Sequence, residues 1–448
     1  MAISYKLFAI SYNTMSNFII QGGHNLHGSI RVAGFKNAAT PIIAATLLTK
    51  EDVNLHNVPL IEDVKRMLQI LVSMGAKVVW TDKNSVKINC ADVDPAKMDM
   101  KLVSTMRSSI LLMGSLLARF GHLRTKEPGG CQIGSRSMDT HFDAFAKLGI
   151  DVAKDDNFYI LEKKRPADAE IVMSEFSVTG TENILLASAL NQGGVSVKIA
   201  AADSSVQDLC WFLQKMGAEI EGIGTHSLRI KGAKSLHGVD YHIMPDPIET
   251  GTFICLAGVT RSKFMIENTA PNFLYMEIEK YKEVGLKLDI QYLDKSPNPN
   301  YRLANIEVDG KVDLQAIKKL HDMPYPGFAA DLVQPFTVLM TQAEGTTLVH
   351  DWMYDGRLKY VAELKKMGAN IVVSDPHRIV VIGPAPLFGK EITSFDLRAG
   401  ATLIIAALGA SGTSTVTNIY QVDRGYEMLD ERLSNLGAKI KRQDDGSV

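Results

Sequence analysis

The chain has 448 residues, of which 46% are hydrophobic and 22% are charged, and its formal net charge is -2. This balance is that of a globular protein, and the length exceeds one ordinary core and suits two domains of roughly 200 residues each. The near-neutral charge gives no reason to expect nucleic acid or an anionic membrane as a partner. Any anion-binding site therefore has to be built locally.

Cysteine and histidine patterns argue against a disulfide framework or a bound metal, and no cofactor is expected. The four cysteines lie far apart without a CxxC pair, and the eleven histidines include no HExxH motif. Cys90, Cys210 and Cys255 are expected to be small buried hydrophobic residues. The longest apolar runs are well short of the roughly 20 residues needed to cross a membrane. We therefore expect no membrane insertion, a cytoplasmic location and no obligate protein partner.

A short signature recurs six times along the chain: an apolar residue, glycine, usually alanine, a polar residue and an aliphatic residue. Its glycines are 74, 68, 68, 83 and 69 residues apart, which defines a repeat of about 70 residues. In chain order these glycines are Gly75, Gly149, Gly217, Gly285, Gly368 and Gly437.

Each signature is predicted to end an amphipathic surface helix and to lead into a strand. In residues 64–74 the apolar positions have helical spacing, and residues 76–80 read as a strand. The glycine between them can adopt the left-handed conformation that ends helices. A second predicted helix in each repeat is apolar on nearly every side, which is typical of a buried helix. These six segments, which predict a six-unit α/β fold, are residues 36–48, 106–121, 181–190, 249–259, 331–343 and 397–410.

Polar and charged residues collect at the starts of the buried helices. Some of these residue types cap helices, but a cation at a helix start opposes the helix dipole at a cost of about 0.3–1 kcal/mol. A bound anion between the backbone amides and the basic side chain would remove that conflict, so the pattern predicts a phosphate and carboxylate site. The residues are Lys36, Asn37, Arg107, Ser177 to Thr181, Glu249, Thr250, Asp331, Asp396 and Arg398.

A glycine-rich segment at residues 127–136 surrounds Cys131 with proline and three glycines. This composition predicts a mobile loop, in which there is little core to bury the thiol. Basic residues near a cysteine favour its reactive thiolate. Cys131 is therefore a candidate acid or nucleophile.

These motifs, in this order, resemble those of the UDP-N-acetylglucosamine 1-carboxyvinyltransferase family from about Met15 to near the C-terminus. The motifs are Gly34-Phe35-Lys36-Asn37-Ala38-Ala39, Thr105-Met106-Arg107, Pro128-Gly129-Gly130-Cys131, Glu249-Thr250-Gly251-Thr252-Phe253, Asp396-Leu397-Arg398 and Val422-Asp423-Arg424-Gly425-Tyr426. The resemblance implies a two-lobed inside-out α/β barrel with three repeats per lobe and the active site in the cleft. One lobe would be residues 36–244, the other residues 15–35 with 245–448, and residues 1–14 would be a disordered extension.

The resemblance also implies a reaction: transfer of the enolpyruvyl group of phosphoenolpyruvate to the 3'-hydroxyl of UDP-N-acetylglucosamine, the first committed step of peptidoglycan precursor synthesis. Lys36, Arg136 and Arg424 would hold phosphoenolpyruvate, and Asn37 and Arg107 would complete its pocket. Asp331 would be the general base and Cys131 the proton donor to the methylene carbon, with Lys36 and Arg424 also counted as catalytic. The further substrate-binding positions would be Ser137, Asp139, Thr140, Ser177, Val178, Met353, Arg357, Asp396 and Arg398.

Several departures from the family fall on the nucleotide side. Residues 136–141 read Arg-Ser-Met-Asp-Thr-His where the family has Arg-Pro-Val-Asp-Leu-His, so Thr140 replaces an apolar residue beside the uracil. Residues 177–180, 202–205 and 246–247 differ as well. Three alternatives follow: an enolpyruvyl transferase for another nucleotide sugar, a catalytically silent regulatory binding protein, and the related shikimate-pathway enzyme, which lacks the Pro-Gly-Gly-Cys loop.

Overall fold

A computed structural model describes residues 16–129, 137–164 and 168–444. The strands, in chain order, are β1 (Ser16–Gln21), β2 (Ser29–Arg31), β3 (Asp52–His56), β4 (Lys77–Asp82), β5 (Ser85–Asn89), β6 (His122–Lys126), β7 (Ile150–Asp155), β8 (Phe158–Lys163), β9 (Ala169–Val172), β10 (Gly194–Lys198), β11 (Glu219–Glu221), β12 (Ser227–Lys231), β13 (Asp240–His242), β14 (Lys263–Thr269), β15 (Lys287–Tyr292), β16 (Ala304–Asp309), β17 (Lys319–His321), β18 (Gly345–His350), β19 (Ile371–Asp375), β20 (Arg378–Gly383), β21 (Glu391–Thr393), β22 (Thr413–Thr417) and β23 (Lys439–Asp444).

The helices, in chain order, are α1 (Lys36–Ala45), α2 (Glu62–Ser73), α3 (Met100–Val103), α4 (Leu112–Phe120), α5 (Asp139–Lys147), α6 (Val178–Ser188), α7 (Ser204–Met216), α8 (Pro247–Val259), α9 (Tyr275–Glu283), α10 (Ala330–Thr341), α11 (Tyr360–Lys366), α12 (Leu397–Gly409), α13 (Tyr420–Asp423) and α14 (Leu429–Asn435). Within the described part of the chain, no helix combines the length and the apolar character needed to cross a membrane.

The described residues divide into two compact units by their internal contacts. The first unit holds residues 34–129, 137–164 and 168–244, and the second holds residues 16–33 and 245–444. The sheets of the first unit have strand orders β13-β3-β5-β4, β6-β8-β7 and β11-β12-β10-β9, and those of the second β21-β22-β1-β23, β15-β16-β14-β2 and β17-β18-β20-β19. Each four-stranded sheet contains one parallel pair and two antiparallel pairs, which is the structural mark of a repeated unit.

The six signature glycines end helices as the sequence predicts. All have positive φ, between 77° at Gly149 and 117° at Gly217, a region that side chains with a Cβ rarely enter. At Gly75 a Cβ would also lie 2.9 Å from the carbonyl oxygen of Asp92. The repeat therefore has a backbone basis, because each helix needs a left-handed residue before the chain turns into a strand.

The predicted buried helices form the core of each unit. In the second unit α8, α10 and α12 contact one another and the strands around them, and in the first unit α4 contacts both α1 and α6. Small residues allow this close packing: a Cβ on Gly114 of α4 would lie 2.5 Å from the carbonyl oxygen of Asn183 in α6. The described strands form small open sheets outside these helices and no closed barrel, which confirms the six-unit α/β fold.

Helix α7 differs from the predicted surface helix, because it is buried along most of its length. Its polar residues have internal partners. Asp208 accepts hydrogen bonds from the Tyr241 hydroxyl at 2.6 Å and the Met244 amide at 3.1 Å, and Gln207 donates to the carbonyl of Ala202 at 2.8 Å. Burial raises the pKa of Asp208 to about 7, although these hydrogen bonds act in the opposite direction.

The buried Asp208 predicts a pH-dependent stability. Its pKa is higher in the folded than in the unfolded chain, so its stabilising contribution is present below about pH 4 and is lost as the pH rises through about 7. We expect Asp208→Asn, which cannot ionise, to gain stability relative to the wild type as the pH rises from about 4 to about 7, by at most about 1.4 kcal/mol per pH unit, and the gain to level off above that range. Thermal melting of both proteins at several pH values measures this difference.

The matched control is Asp92→Asn, which removes an exposed carboxylate from the same unit. Its melting temperature should run parallel to that of the wild type across the pH range. A difference between Asp208→Asn and wild type that does not change with pH, or that shrinks as pH rises, would contradict the prediction.

Candidate active site

Asp331 lies in the first turn of α10, where two arginines hold its carboxylate. Arg357 donates from Nη2 to Oδ1 at 2.9 Å, and Arg398 donates from Nε to Oδ2 at 3.0 Å. The two arginine side chains are 1% and 5% exposed, whereas that of Asp331 is 29% exposed. We refer to Asp331, Arg357 and Arg398 as the Asp331 cluster. It presents one partly accessible carboxylate backed by two buried cations.

The electrostatics of the Asp331 cluster keep its carboxylate ionised. Burial acts to raise the pKa of Asp331, but the charges of Arg398 and Arg357 outweigh it and hold the pKa well below its usual range. Burial acts to lower the pKa of both arginines, but the charges of Asp331 and Asp351 outweigh it at Arg357, and those of Tyr426, Asp331 and Asp246 outweigh it at Arg398. A carboxylate with two guanidinium partners is a strong hydrogen-bond acceptor, and its basicity depends on how firmly those partners hold it.

Arg398 is fixed on its inner side by polar groups of the core. Its Nη1 donates to the Tyr426 hydroxyl at 3.2 Å, and that hydroxyl lies 3.2 Å from Thr252 Oγ1. Asp246, the N-terminal cap of α8, also interacts with the charge of Arg398, while burial raises the pKa of Asp246 to about 7. Arg398 is thus held in place independently of Asp331.

The loop after β18 places Arg357 and Met353, two of the predicted site residues. Asp322 anchors this loop by accepting hydrogen bonds from the amides of Trp352 at 2.9 Å and Met353 at 3.2 Å. The Trp352 indole also donates to the Asp322 carbonyl at 2.7 Å. Arg357 follows a left-handed Gly356 and lies 5.4 Å from the centre of the Tyr354 ring.

Asp396 and Arg424, two further predicted site residues of the second unit, have hydrogen-bond partners of their own. Asp396 caps α12, because its Oδ1 accepts hydrogen bonds from the amides of Arg398 and Ala399, both at 2.9 Å. The cap thereby fixes the backbone from which Arg398 reaches Asp331. Arg424 follows α13, is 8% exposed and donates to the Gln421 side chain at 3.1 Å.

In the first unit, Lys36 is the first residue of α1 and pairs with a buried acid. Its Nζ lies 3.0 Å from Oδ2 of Asp63, which belongs to the first turn of α2 and is 1% exposed. The cation that opposes the α1 dipole is therefore balanced by a carboxylate that the sequence did not indicate. Asn37 follows as the second residue of α1 and is half-buried.

Arg107 begins the 3-10 turn Arg107–Leu111, which leads into α4. Its Nη2 donates to the Ser137 carbonyl at 3.4 Å, and the Ser137 hydroxyl accepts the amide of Asp139 at the start of α5. Arg107 thus lies beside Ser137, the residue that also accepts the Asp139 amide, and the substrate-binding roles of all three stay predictions.

Three further predicted site residues lie around the start of α6. The Thr140 hydroxyl donates to the Glu175 carboxylate at 2.9 Å. Ser177 caps α6 by accepting the Gly180 amide at 3.1 Å, and Val178 is the first residue of that helix. The neighbouring His141 is buried. Burial, with a smaller effect from the charge of Arg107, lowers the pKa of His141 to about 3 and keeps it neutral. Where the family has an apolar residue, this chain has Thr140, whose hydroxyl is hydrogen-bonded to the Glu175 carboxylate.

Two predicted site residues, Cys131 and Arg136, lie outside the described residues, as does the 1–14 extension. Cys90, Cys210 and Cys255 are buried, as predicted, and burial raises the pKa of each thiol. No group of three or more His, Cys, Asp or Glu side chains within residues 16–129, 137–164 and 168–444 is arranged to hold a metal ion.

Sequence reasoning missed several groups around these residues. Asp246 was detectable, because an aspartate before a proline is a common helix start. Tyr426 stood inside a quoted motif but carried no signal of its own. Asp63 and Asp322 had no local signal at all, because their partners, Lys36 and the amides of Trp352 and Met353, are distant along the chain.

The fold is shared with solved structures of other proteins. The enolpyruvyl transferase NikO from Streptomyces tendae superimposes with a TM-score of 0.84 at 24% identity, covering 96% of this chain and 100% of that one. EPSP synthase from Acinetobacter baumannii gives a TM-score of 0.73 at 19% identity over 96% and 100%. These likenesses establish the fold alone.

The amino-acid sequence is similar to those of carboxyvinyl transferases over nearly its whole length. The family model of EPSP synthase (3-phosphoshikimate 1-carboxyvinyltransferase) matches residues 20–433, so the fold and this match define a carboxyvinyl transferase. UDP-N-acetylglucosamine 1-carboxyvinyltransferase from Treponema denticola is 40% identical over 96% of this chain and 100% of its own length. The same enzyme from Bradyrhizobium diazoefficiens is 42% identical over 95% and 97%. The chain belongs to the UDP-N-acetylglucosamine 1-carboxyvinyltransferase family.

Proposed function

We propose that this protein transfers the enolpyruvyl group of phosphoenolpyruvate to the 3'-hydroxyl of UDP-N-acetylglucosamine and releases phosphate, at the first committed step of peptidoglycan precursor synthesis. The names of the relatives, matched over nearly their full lengths, support the substrate. The observation that carries the chemistry is the Asp331 cluster, in which an ionised and partly accessible carboxylate is held at the start of a buried helix.

In this proposal Asp331 accepts the proton of the sugar hydroxyl as the oxygen attacks C2 of phosphoenolpyruvate. General-base catalysis needs a carboxylate that is ionised and within hydrogen-bonding reach of the hydroxyl. Asp331 meets the first condition at any ordinary pH. Because two guanidinium groups weaken it as a base, its ion pairs have to loosen as the proton arrives. Arg357 and Arg398 therefore govern when Asp331 can react.

The remaining roles follow the resemblance. Lys36, Arg136 and Arg424 hold the phosphate and carboxylate of phosphoenolpyruvate, with Asn37 and Arg107 completing the pocket. Cys131 gives the proton that the methylene carbon gains as the new carbon–oxygen bond forms. The resulting tetrahedral ketal then loses phosphate, and loss of a methyl proton restores the double bond. A cage of cations stabilises the negative charge on the departing phosphate.

The positions proposed to bind the sugar nucleotide are those that the resemblance implies: Ser137, Asp139, Thr140, Ser177, Val178, Met353, Arg357, Asp396 and Arg398. Amide groups at the start of α6 are suited to a diphosphate, because a helix start attracts anions. The cytoplasmic location expected from the sequence stays a prediction.

Phosphate release tests the proposal directly. The full chain is incubated with phosphoenolpyruvate and, in turn, UDP-N-acetylglucosamine, other UDP-sugars, shikimate 3-phosphate or no acceptor. We expect release with UDP-N-acetylglucosamine at a kcat/KM at least about 100-fold above that for shikimate 3-phosphate, because a site built for one set of polar groups leaves them unpaired with another. Higher kcat/KM with a different nucleotide sugar, or no release with any acceptor, would contradict it.

A further inference from the structure

Asp351 is a buried carboxyl near the Asp331 cluster to which the reaction scheme above gives no role. It is 1% exposed, and no amide, hydroxyl or guanidinium group of the described residues hydrogen-bonds to either carboxyl oxygen. Its backbone is fixed from both sides by His377: the Asp351 amide donates to the His377 carbonyl at 2.9 Å, and the Asp351 carbonyl lies 2.9 Å from His377 Nδ1. The backbone that carries the Asp351 side chain is thus held in place.

The ion-pair partner of Asp351 is Arg357. Oδ2 of Asp351 lies 3.9 Å from Arg357 Nε, while Nη2 of the same guanidinium donates to Asp331. Both side chains of the Asp351–Arg357 pair are at most 1% exposed. A buried carboxylate is costly without a charged partner, and Asp351 shares its partner, Arg357, with Asp331.

We propose that Asp351 is a positioning residue for the reaction: in its ionised form it orients the Arg357 guanidinium and offsets part of the positive charge that Asp331 experiences. The inference rests on the proposed function, because it assumes that Asp331 is the base. It assigns Asp351 no contact with substrate.

The physical reason is the weak basicity of a carboxylate held by two cations. A negative charge beside Arg357 lowers the positive potential at Asp331, and such interactions are strong where water is excluded. Ionised Asp351 therefore leaves Asp331 a better proton acceptor than a neutral group of the same shape would. It also gives Arg357 a second anchor when Asp331 receives the proton and loses its charge.

Several groups set the ionisation of Asp351. Burial raises its pKa to about 7, and Arg357 acts in the opposite direction. The charges of Asp322 and Asp331 add to the rise, as does a hydrogen bond between the Asp351 and Asp322 carboxyl groups, so the two carboxyls titrate as a pair. Tyr360 of α11 also faces the pair, and His377 touches the backbone of Asp351. Asp351 is thus protonated and without effect well below pH 7, and ionised above it.

The experiment compares kcat for phosphate release between pH 5.5 and 9.5 in the full chain, at saturating phosphoenolpyruvate and UDP-N-acetylglucosamine. We expect the wild-type kcat to rise through a step near pH 7 that Asp351→Asn lacks. Above pH 8 the variant should be about three- to tenfold slower, because one unit of lost basicity costs at most one decade of rate. KM for the nucleotide sugar should stay within about twofold, and Asp351→Glu should restore the step.

Asp355→Asn is the matched control, since it removes an exposed carboxylate from the same loop, where Asp355 pairs with His377. This control should keep the wild-type profile. The inference is overturned if Asp351→Asn keeps the wild-type step and rate, or if Asp355→Asn loses them equally. If thermal melting shows that Asp351→Asn does not fold, the wild type and Asp351→Glu provide the test. The inference is then overturned if kcat shows no step near pH 7 in either of these two proteins. A fully active Asp331→Asn would instead overturn the proposed base.

Discussion

Replacing Asp331 with asparagine should lower kcat for phosphate release by about 10²–10⁴-fold, the usual contribution of general-base catalysis. The amide keeps the size of the carboxyl and one acceptor oxygen but cannot take up the hydroxyl proton. Steady-state kinetics with phosphoenolpyruvate and UDP-N-acetylglucosamine measure the rate. Calorimetric titration should show that the nucleotide sugar still binds.

The fold should survive this change, because neither arginine depends on Asp331 alone. Arg357 keeps Asp351 beside it, and Arg398 keeps the Tyr426 hydroxyl. Thermal melting should therefore show one cooperative transition at a temperature that still allows the assay. The asparagine NH2 faces one arginine donor unfavourably, so some loss of melting temperature is expected.

Asp375→Asn serves as the control for loss of a carboxylate in the same unit. Asp375 ends β19 and is paired with Arg378, the first residue of β20, and neither residue belongs to the Asp331 cluster. Its kcat should match that of the wild type. If Asp331→Asn kept more than about a tenth of the wild-type rate, a different base would have to carry the reaction.

Local features of the sequence predicted the fold well. The signature glycines, the helix starts at Ser177 and Asp396, and the all-round apolar helices each depend on residues within one or two turns. The structure has the left-handed glycines and both caps. Helix α7 was the exception, since the partners of Asp208 are more than 30 residues away.

The candidate site was less accessible to sequence reasoning, because its energetics come from pairs that are distant along the chain. Arg398 and Asp331 are separated by 67 positions. Lys36 was interpreted as a cation awaiting an anionic ligand, and the structure adds Asp63 as its internal partner. No periodicity or spacing signals such a pair. The resemblance pointed to Arg357 and Arg398 but not to Asp351, the buried carboxyl that pairs with Arg357.

Glu249 is the clearest example of a residue whose partner could not be predicted from the sequence. The sequence placed it among polar residues at the starts of buried helices, where an anion site was expected. In the structure Arg432 donates to its two carboxyl oxygens at 2.7 and 2.9 Å, and the Ala33 amide donates to it at 2.7 Å. The Glu249 side chain is 2% exposed and that of Arg432 is 18% exposed. Glu249 therefore joins segments 183 positions apart within the second unit.

Breaking this pair should cause the largest loss of stability among the substitutions considered. Arg432→Met leaves a buried carboxylate without its cation, which costs about 3–5 kcal/mol. For a unit of this size, that lowers the melting temperature by about 6–20 °C. Adding Glu249→Gln should recover much of the loss, because glutamine still accepts the Ala33 amide and carries no charge. Thermal melting of both single variants and the double variant at pH 8 measures the coupling.

An exposed ion pair in the same unit provides the comparison. Arg378 Nε lies 2.6 Å from Asp375 Oδ2, and the two side chains are 55% and 30% exposed. Such surface ion pairs contribute about 0–1 kcal/mol to the free energy of unfolding. Arg378→Met should therefore shift the melting temperature by only a few degrees. A loss in Arg432→Met no larger than in Arg378→Met, or a double variant as unstable as the sum of its two singles, would show that burial does not make the Glu249–Arg432 pair strong.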